Sequence, residues 1–290
     1  MSGREFSWTG EDGTRLAGRI FGPDPDPAGP LPVLCLPGLT RNGRDFTVLA
    51  EALSTGDRPR TVITMDFRGR GRSSYADPAT YRPDMEAKDT LAGLDALGIP
   101  KVAIVGTSRG GIVAMVIAAT AGDRLGRVVL NDIGPVIEIG GLLAIRERMG
   151  QMLGHQVASW DDAIADLKAT MGRSFTRLAD ADWLTFARQM YREDGNGVPV
   201  LDYDPALLTS FATFDSAVGI PPFWPIFLAL GARPVLVVRG VNSDLLSEET
   251  VADMVAKLPQ TEVHRVPDQG HAPLLTDVPT IERIRTFLAT

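Results

Sequence analysis

A single cysteine, Cys35, stands among 290 residues, so no internal disulfide can form and a disulfide-framed secreted scaffold is excluded. Its neighbours Val33, Leu34 and Leu36 place it on a buried strand. Histidine is nearly as scarce. The three present, His155, His264 and His271, lack the paired spacing of a zinc site, and neither a metal nor a cofactor is expected. No uninterrupted apolar run approaches the ~20 residues needed to span a bilayer, which argues against a membrane protein. The opening MSGREFSWTGEDG has neither the basic n-region nor the apolar h-region of a secretory signal, so a reducing cytoplasm is the expected location. Positive charge is in deficit: 29 Lys and Arg against 36 Asp and Glu give a net charge of −7, which opposes a phosphate-tracking surface and hence nucleic-acid binding. Internal repeats and low-complexity tracts are absent, and nothing in the sequence specifies an oligomeric state.

What is present is an alternation of short apolar runs and amphipathic stretches. Residues 4–21 alternate polar and apolar side chains around Glu11-Asp12-Gly13, a hairpin signal. Strands are expected at 33–36, 61–65, 102–106, 127–130, 234–238 and 262–266, with helices at 45–54, 84–98, from 109, at 248–258 and from 279. This rhythm implies a mostly parallel sheet with helices on both faces, an α/β fold. From 134 to about 215 the rhythm breaks into three successive helical stretches, 137–153, 159–172 and 182–193. We read a core of 1–133 and 216–290 with a helical cap inserted at 134–215. Met149, Met152, Trp160, Met171, Trp183 and Met190 fill the cap's own core, and some of them fit the lining of an apolar substrate cavity.

Chemistry concentrates at the strand ends. Gly106-Thr107-Ser108-Arg109-Gly110 falls between a buried strand and an apolar helix, the context of the G-x-S-x-G nucleophile elbow. There the serine hydroxyl stands clear of the sheet beside the free N–H groups of the next helix. A serine hydroxyl needs a base, and His271, in the loop after the last strand, reaches the same sheet edge. Asp244, after the strand at 234–238, is the preferred carboxylate to orient that base, with Asp132 the alternative because it ends at the same edge. Backbone N–H groups of Leu39 and Arg109 are the expected oxyanion donors. Arg41, Asn42 and the Arg109 side chain, close by in sequence, are candidates to bind a substrate carboxylate or polar acyl group.

Leu36-Pro37-Gly38-Leu39, Asp66-Phe67-Arg68-Gly69-Arg70-Gly71-Arg72-Ser73, the elbow, the Asp244 loop and Gly270-His271 together resemble the α/β-hydrolase fold superfamily. The inserted segment is similar to the cap of its haloalkane dehalogenase and epoxide hydrolase branch. The resemblance covers nearly the whole chain and implies an eight-stranded sheet, a site between core and cap, and hydrolysis through an acyl-enzyme. Those two relatives attack with aspartate, whereas serine stands here, which argues against both chemistries. The expected function is therefore cofactor-independent hydrolysis of a small carboxylic ester or lactone. Carbon–carbon bond hydrolysis, amide hydrolysis and perhydrolysis use the same triad. A ligand receptor that signals through cap movement is the reading from another functional class.

Overall fold

A computed structural model describes residues 3–56, 58–211 and 219–289. The chain begins with the antiparallel hairpin of β1 (Arg4–Thr9) and β2 (Arg15–Phe21), as the alternation predicts. Then follow β3 (Val33–Leu36), α1 (Thr47–Leu53), β4 (Val62–Asp66), α2 (Pro83–Ala96), β5 (Val102–Thr107), α3 (Arg109–Thr120) and β6 (Leu125–Asn131). The next segment carries α4 (Ile139–Gly154), α5 (Trp160–Met171), α6 (Asp180–Met190), and β7 (Tyr191–Glu193) paired with β8 (Pro199–Leu201). After α7 (Trp224–Leu228) the alternation resumes with β9 (Val235–Gly240), α8 (Glu248–Lys257), β10 (Thr261–Val266) and α9 (Val278–Ala289).

Eight strands form one sheet in the order β1-β2-β4-β3-β5-β6-β9-β10, antiparallel only in the pairs β1/β2 and β2/β4. This is the eight-stranded, mostly parallel sheet that the resemblance implies. Its central strands are apolar throughout because both faces are covered. Leu34, Leu36, Ile104, Val128 and Val237 join the core on one face, and Val33, Cys35, Val105, Val129 and Leu236 join the core on the other. Cys35 is fully buried, and burial pushes its thiol pKa up, so it is inert. From β3 the chain adds β4 on one side, then crosses back to place β5 on the other. The strand order reverses there, and the crevice outside the carboxyl ends of such strands is where α/β sheets bind ligands.

Two differences from the expected elements concern the segment between β6 and β9. It is not purely helical: the short β7–β8 hairpin turns it back toward the core, where Tyr203 bridges Arg70. The expected boundary at 215–216 lies outside the described residues. Met152, Met171, Trp183, Phe186 and Met190 pack into a core belonging to this insertion, as the methionine and tryptophan content suggests. Among the described residues no helix is long and apolar enough to cross a membrane.

Candidate active site

Ser108 sits between β5 and α3 with φ 49° and ψ −112°, a left-handed backbone that a non-glycine residue adopts only when its surroundings enforce it. The flanking glycines show why this turn fits. A Cβ on Gly106 would lie 2.6 Å from the Gly110 backbone, and a Cβ on Gly110 would lie 2.1 Å from the Leu36 carbonyl oxygen. The elbow is thus wedged against β3. The Ser108 N–H donates to the Asn131 carbonyl (2.9 Å), joining the turn to β6 on its other side.

At the end of β6, Asp132 is fully buried and also left-handed, φ 55°. Its Oδ1 accepts the Gly240 N–H at 2.8 Å, and its Oδ2 accepts the Ser243 hydroxyl at 2.5 Å. The same Oδ2 lies 2.8 Å from Nδ1 of His271, whose Nε2 lies 2.9 Å from Oγ of Ser108. The His271 loop is held in place by Asn131, whose amide donates to the Pro273 carbonyl (2.9 Å) and to Thr107 Oγ1 (3.0 Å). An unbroken line of contacts therefore runs from hydroxyl through imidazole to carboxylate.

This corrects the expected carboxylate. Asp244 is exposed and has no bond to His271; its loop instead supplies the Gly240 N–H and the Ser243 hydroxyl that hold Asp132. The physical reason is register. Asn131 pairs with Val238, so β6 brings the Asp132 carboxylate within reach of the Gly240 N–H, at the point where β9 ends, while Asp244 lies four residues further out. The other two histidines are engaged elsewhere: His264 with Thr280 Oγ1 at 3.1 Å, His155 facing Asp166 at 3.4 Å.

The Gly38–Leu39 turn lies beside Ser108, since a Cβ on Gly38 would be 3.9 Å from the Ser108 Cβ. Arg70, fully buried, donates from Nε to the Leu39 carbonyl (2.7 Å) and fixes that loop. Arg109 is the first residue of α3, so its N–H has no partner within the helix. Its side chain is already engaged, donating to buried Glu86 (2.6 Å) and to the Tyr81 carbonyl (2.8 Å), which overturns the expectation that it awaits a substrate. Asn42 does not line the cavity either. It is buried, with its amide donating to the Gln189 carbonyl (3.2 Å), a tie between core and insertion. Beside it Arg44 pairs with Asp202 at 2.6 Å, a second such tie.

A cavity of about 100 Å³ lies over this line of contacts. The core contributes Gly38, Leu39, Arg41, Ser108 and His271, and the insertion contributes Ile145, Arg148, Met171, Phe186 and Met190. A second cavity, about 380 Å³, opens from the other side of Ser108 and is mostly aliphatic, with Ile112, Val116, Ile133, Ile137, Phe223 and Ile226. Among the described residues no group of three or more His, Cys, Asp or Glu side chains is arranged to hold a metal ion. Arg148 is a lining residue that sequence reasoning missed; its only signal was a second arginine, after Arg146, on a helix otherwise read as packing.

The model of the alpha/beta hydrolase family matches residues 33–282. Over 261 residues the chain is 36% identical to the 3-hydroxybutyrate-oligomer hydrolase of Cupriavidus necator, covering 87% of this chain and 86% of that protein. It is 27% identical over 248 residues to esterase YbfF of Escherichia coli, covering 83% of this chain and 85% of the relative. Among solved structures, an alpha/beta hydrolase from Novosphingobium aromaticivorans superposes with a TM-score of 0.90 at 38% identity, over 99% of this chain and 98% of that one.

Proposed function

We propose, from the premise that this chain belongs to the alpha/beta hydrolase family, that it is a serine-dependent carboxylic ester hydrolase working through an acyl-enzyme. The observation that carries the reading is the pair of contacts at His271, 2.9 Å to Ser108 Oγ and 2.8 Å to Asp132 Oδ2, opening onto a cavity. Ser108 attacks the ester carbonyl as His271 Nε2 takes its proton. Asp132 holds the imidazole with Nδ1 protonated and stabilises the imidazolium that forms. The backbone N–H groups of Leu39 and Arg109 receive the developing oxyanion, where fixed donors in a water-poor site lower the barrier most. His271 then protonates the departing alcohol, a water attacks the acyl-enzyme with His271 again as base, and the acid leaves.

The relatives point to the same bond. Esterase YbfF is an ester hydrolase by name, and the Cupriavidus protein acts on oligomers of 3-hydroxybutyrate, whose units are joined by ester bonds. Small carboxylic esters are therefore the substrate class we assign, and the insertion forms the cap over them. The test is hydrolysis of a 4-nitrophenyl ester series together with labelling by a fluorophosphonate. Wild-type protein turns over the ester and takes the label at Ser108; Ser108→Ala does neither. Retained turnover by that variant overturns the reading.

A further inference from the structure

One cation at the cavity over Ser108 has no ion-pair partner among the described residues. Arg148 lies on α4 one turn beyond Ile145, and both side chains line the cavity from the insertion side. Among the described residues it makes no hydrogen bond and has no carboxylate within the 4.0 Å of an ion pair. Asp244 acts on it only at longer range, while burial and the like charge of Arg41 lower its pKa. A guanidinium stays charged regardless, so Arg148 presents a partly buried positive charge that no described carboxylate pairs directly, a state that an incoming anion relieves.

Arg41, also lining this cavity, adds to the same field. Its Nε and Nη2 are spent on Asp45 at 2.9 and 2.7 Å, its guanidinium lies 4.8 Å from the centre of the Phe186 ring, and its Nη1 is buried with no partner. The second cavity differs in kind, since its arginine, Arg109, is already matched by Glu86 and its walls are aliphatic. His271 lines the first cavity and is absent from the second. The departing alcohol must lie beside the imidazole that protonates it, so the alcohol half of the ester belongs in the first cavity and the acyl half in the second.

We propose that Arg148, assisted by Arg41, binds a free carboxylate carried on the alcohol half of the substrate. The substrate class is then an apolar acyl ester of a hydroxy acid, cut to a carboxylic acid and a free hydroxy acid. This rests on the ester-hydrolase reading above and specifies it. Hydroxy-acid oligomers with a free carboxyl end have this form.

The test compares kcat/KM for the butyryl ester of a β-hydroxy acid with that for the same ester capped as a primary amide. A charge-assisted contact predicts that wild-type protein favours the free acid by about tenfold or more, mainly through KM. Arg148→Gln removes most of that preference, and Arg148→Lys, which keeps the charge, retains part of it. Circular dichroism of both variants establishes that each is folded. Equal kcat/KM for acid and amide in wild-type protein, or a preference that survives in Arg148→Gln, overturns the proposal. In either case turnover of the amide-capped ester that is lost in Ser108→Ala leaves the ester-hydrolase reading standing. If wild-type protein cleaves neither these esters nor a 4-nitrophenyl ester, that reading falls and the proposal with it.

Discussion

The two walls of the cleft are built on opposite terms. On the sheet side the two ends of the relay are held by hydrogen bonds: Asp132 accepts from the Gly240 N–H and the Ser243 hydroxyl while holding His271, and the Asn131 amide N–H group pins the loop that carries the imidazole. On the insertion side Met171, Phe186 and Met190 line the cavity together with Arg148, a cation with no ion-pair partner among the described residues. A carboxylate and imidazole held from several sides have one low-energy geometry, which is what a reaction needs. A wall with an unmet charge and flexible thioethers is completed by whatever enters. On the function proposed above, reactivity and selectivity fall to separate parts of the chain.

Six substitutions break or sharpen that contrast. Ser108→Ala removes the nucleophile and lowers kcat on a 4-nitrophenyl ester by about 10⁶-fold, with the thermal midpoint nearly unchanged. Asp132→Asn leaves the imidazole in the wrong tautomer and lowers kcat by about 10⁴-fold. Asp244→Asn, at an exposed position, changes turnover of a neutral ester by less than about threefold, and equal losses in the two variants would contradict the site described above. Packing sharpens the contrast next. Gly110→Ala forces a methyl to within 2.1 Å of the Leu36 carbonyl oxygen and costs about 3 kcal/mol or more in denaturant melts. Gly150→Ala, on an open face of α4 with nothing within 4 Å, stabilises by about 0.5–1 kcal/mol. Arg44→Gln acts on the tie between core and insertion. It breaks the pair with Asp202 and lowers hydrogen-exchange protection across α6, β7 and β8 by about 1–3 kcal/mol, with β5 and β6 unaffected.

Much of this was legible in the residues. Strands buried on both faces announce themselves as apolar runs, and the elbow is readable because its glycines answer to close backbone approaches that no larger residue allows. The carboxylate was not. Asp132 and Asp244 both fall between Ser108 and His271 in chain order and both follow a strand, so order and placement cannot separate them. What separates them is the register of β6 on β9, a property of pairing between strands more than a hundred residues apart in sequence. Asp tolerates the left-handed backbone that Asp132 adopts, a hint visible only once the turn is seen. Arg148 was hidden for another reason. Helical periodicity marks the residues that pack, and Leu142, Ile145, Met149 and Met152 satisfy it, so a cation beside them reads as solvated face. The β7–β8 hairpin, three residues a side, is too short for any pattern to register.

Leu39, Ser108 and Ile145 are the residues common to both cavities. The reacting hydroxyl thus stands in a doorway whose jambs are two aliphatic side chains, one from each region. Trimming Ile145 would widen the passage and join the chambers without touching the relay behind it. If substrate spans both chambers, as the function proposed above requires, one branched side chain sets the width of the passage it must cross.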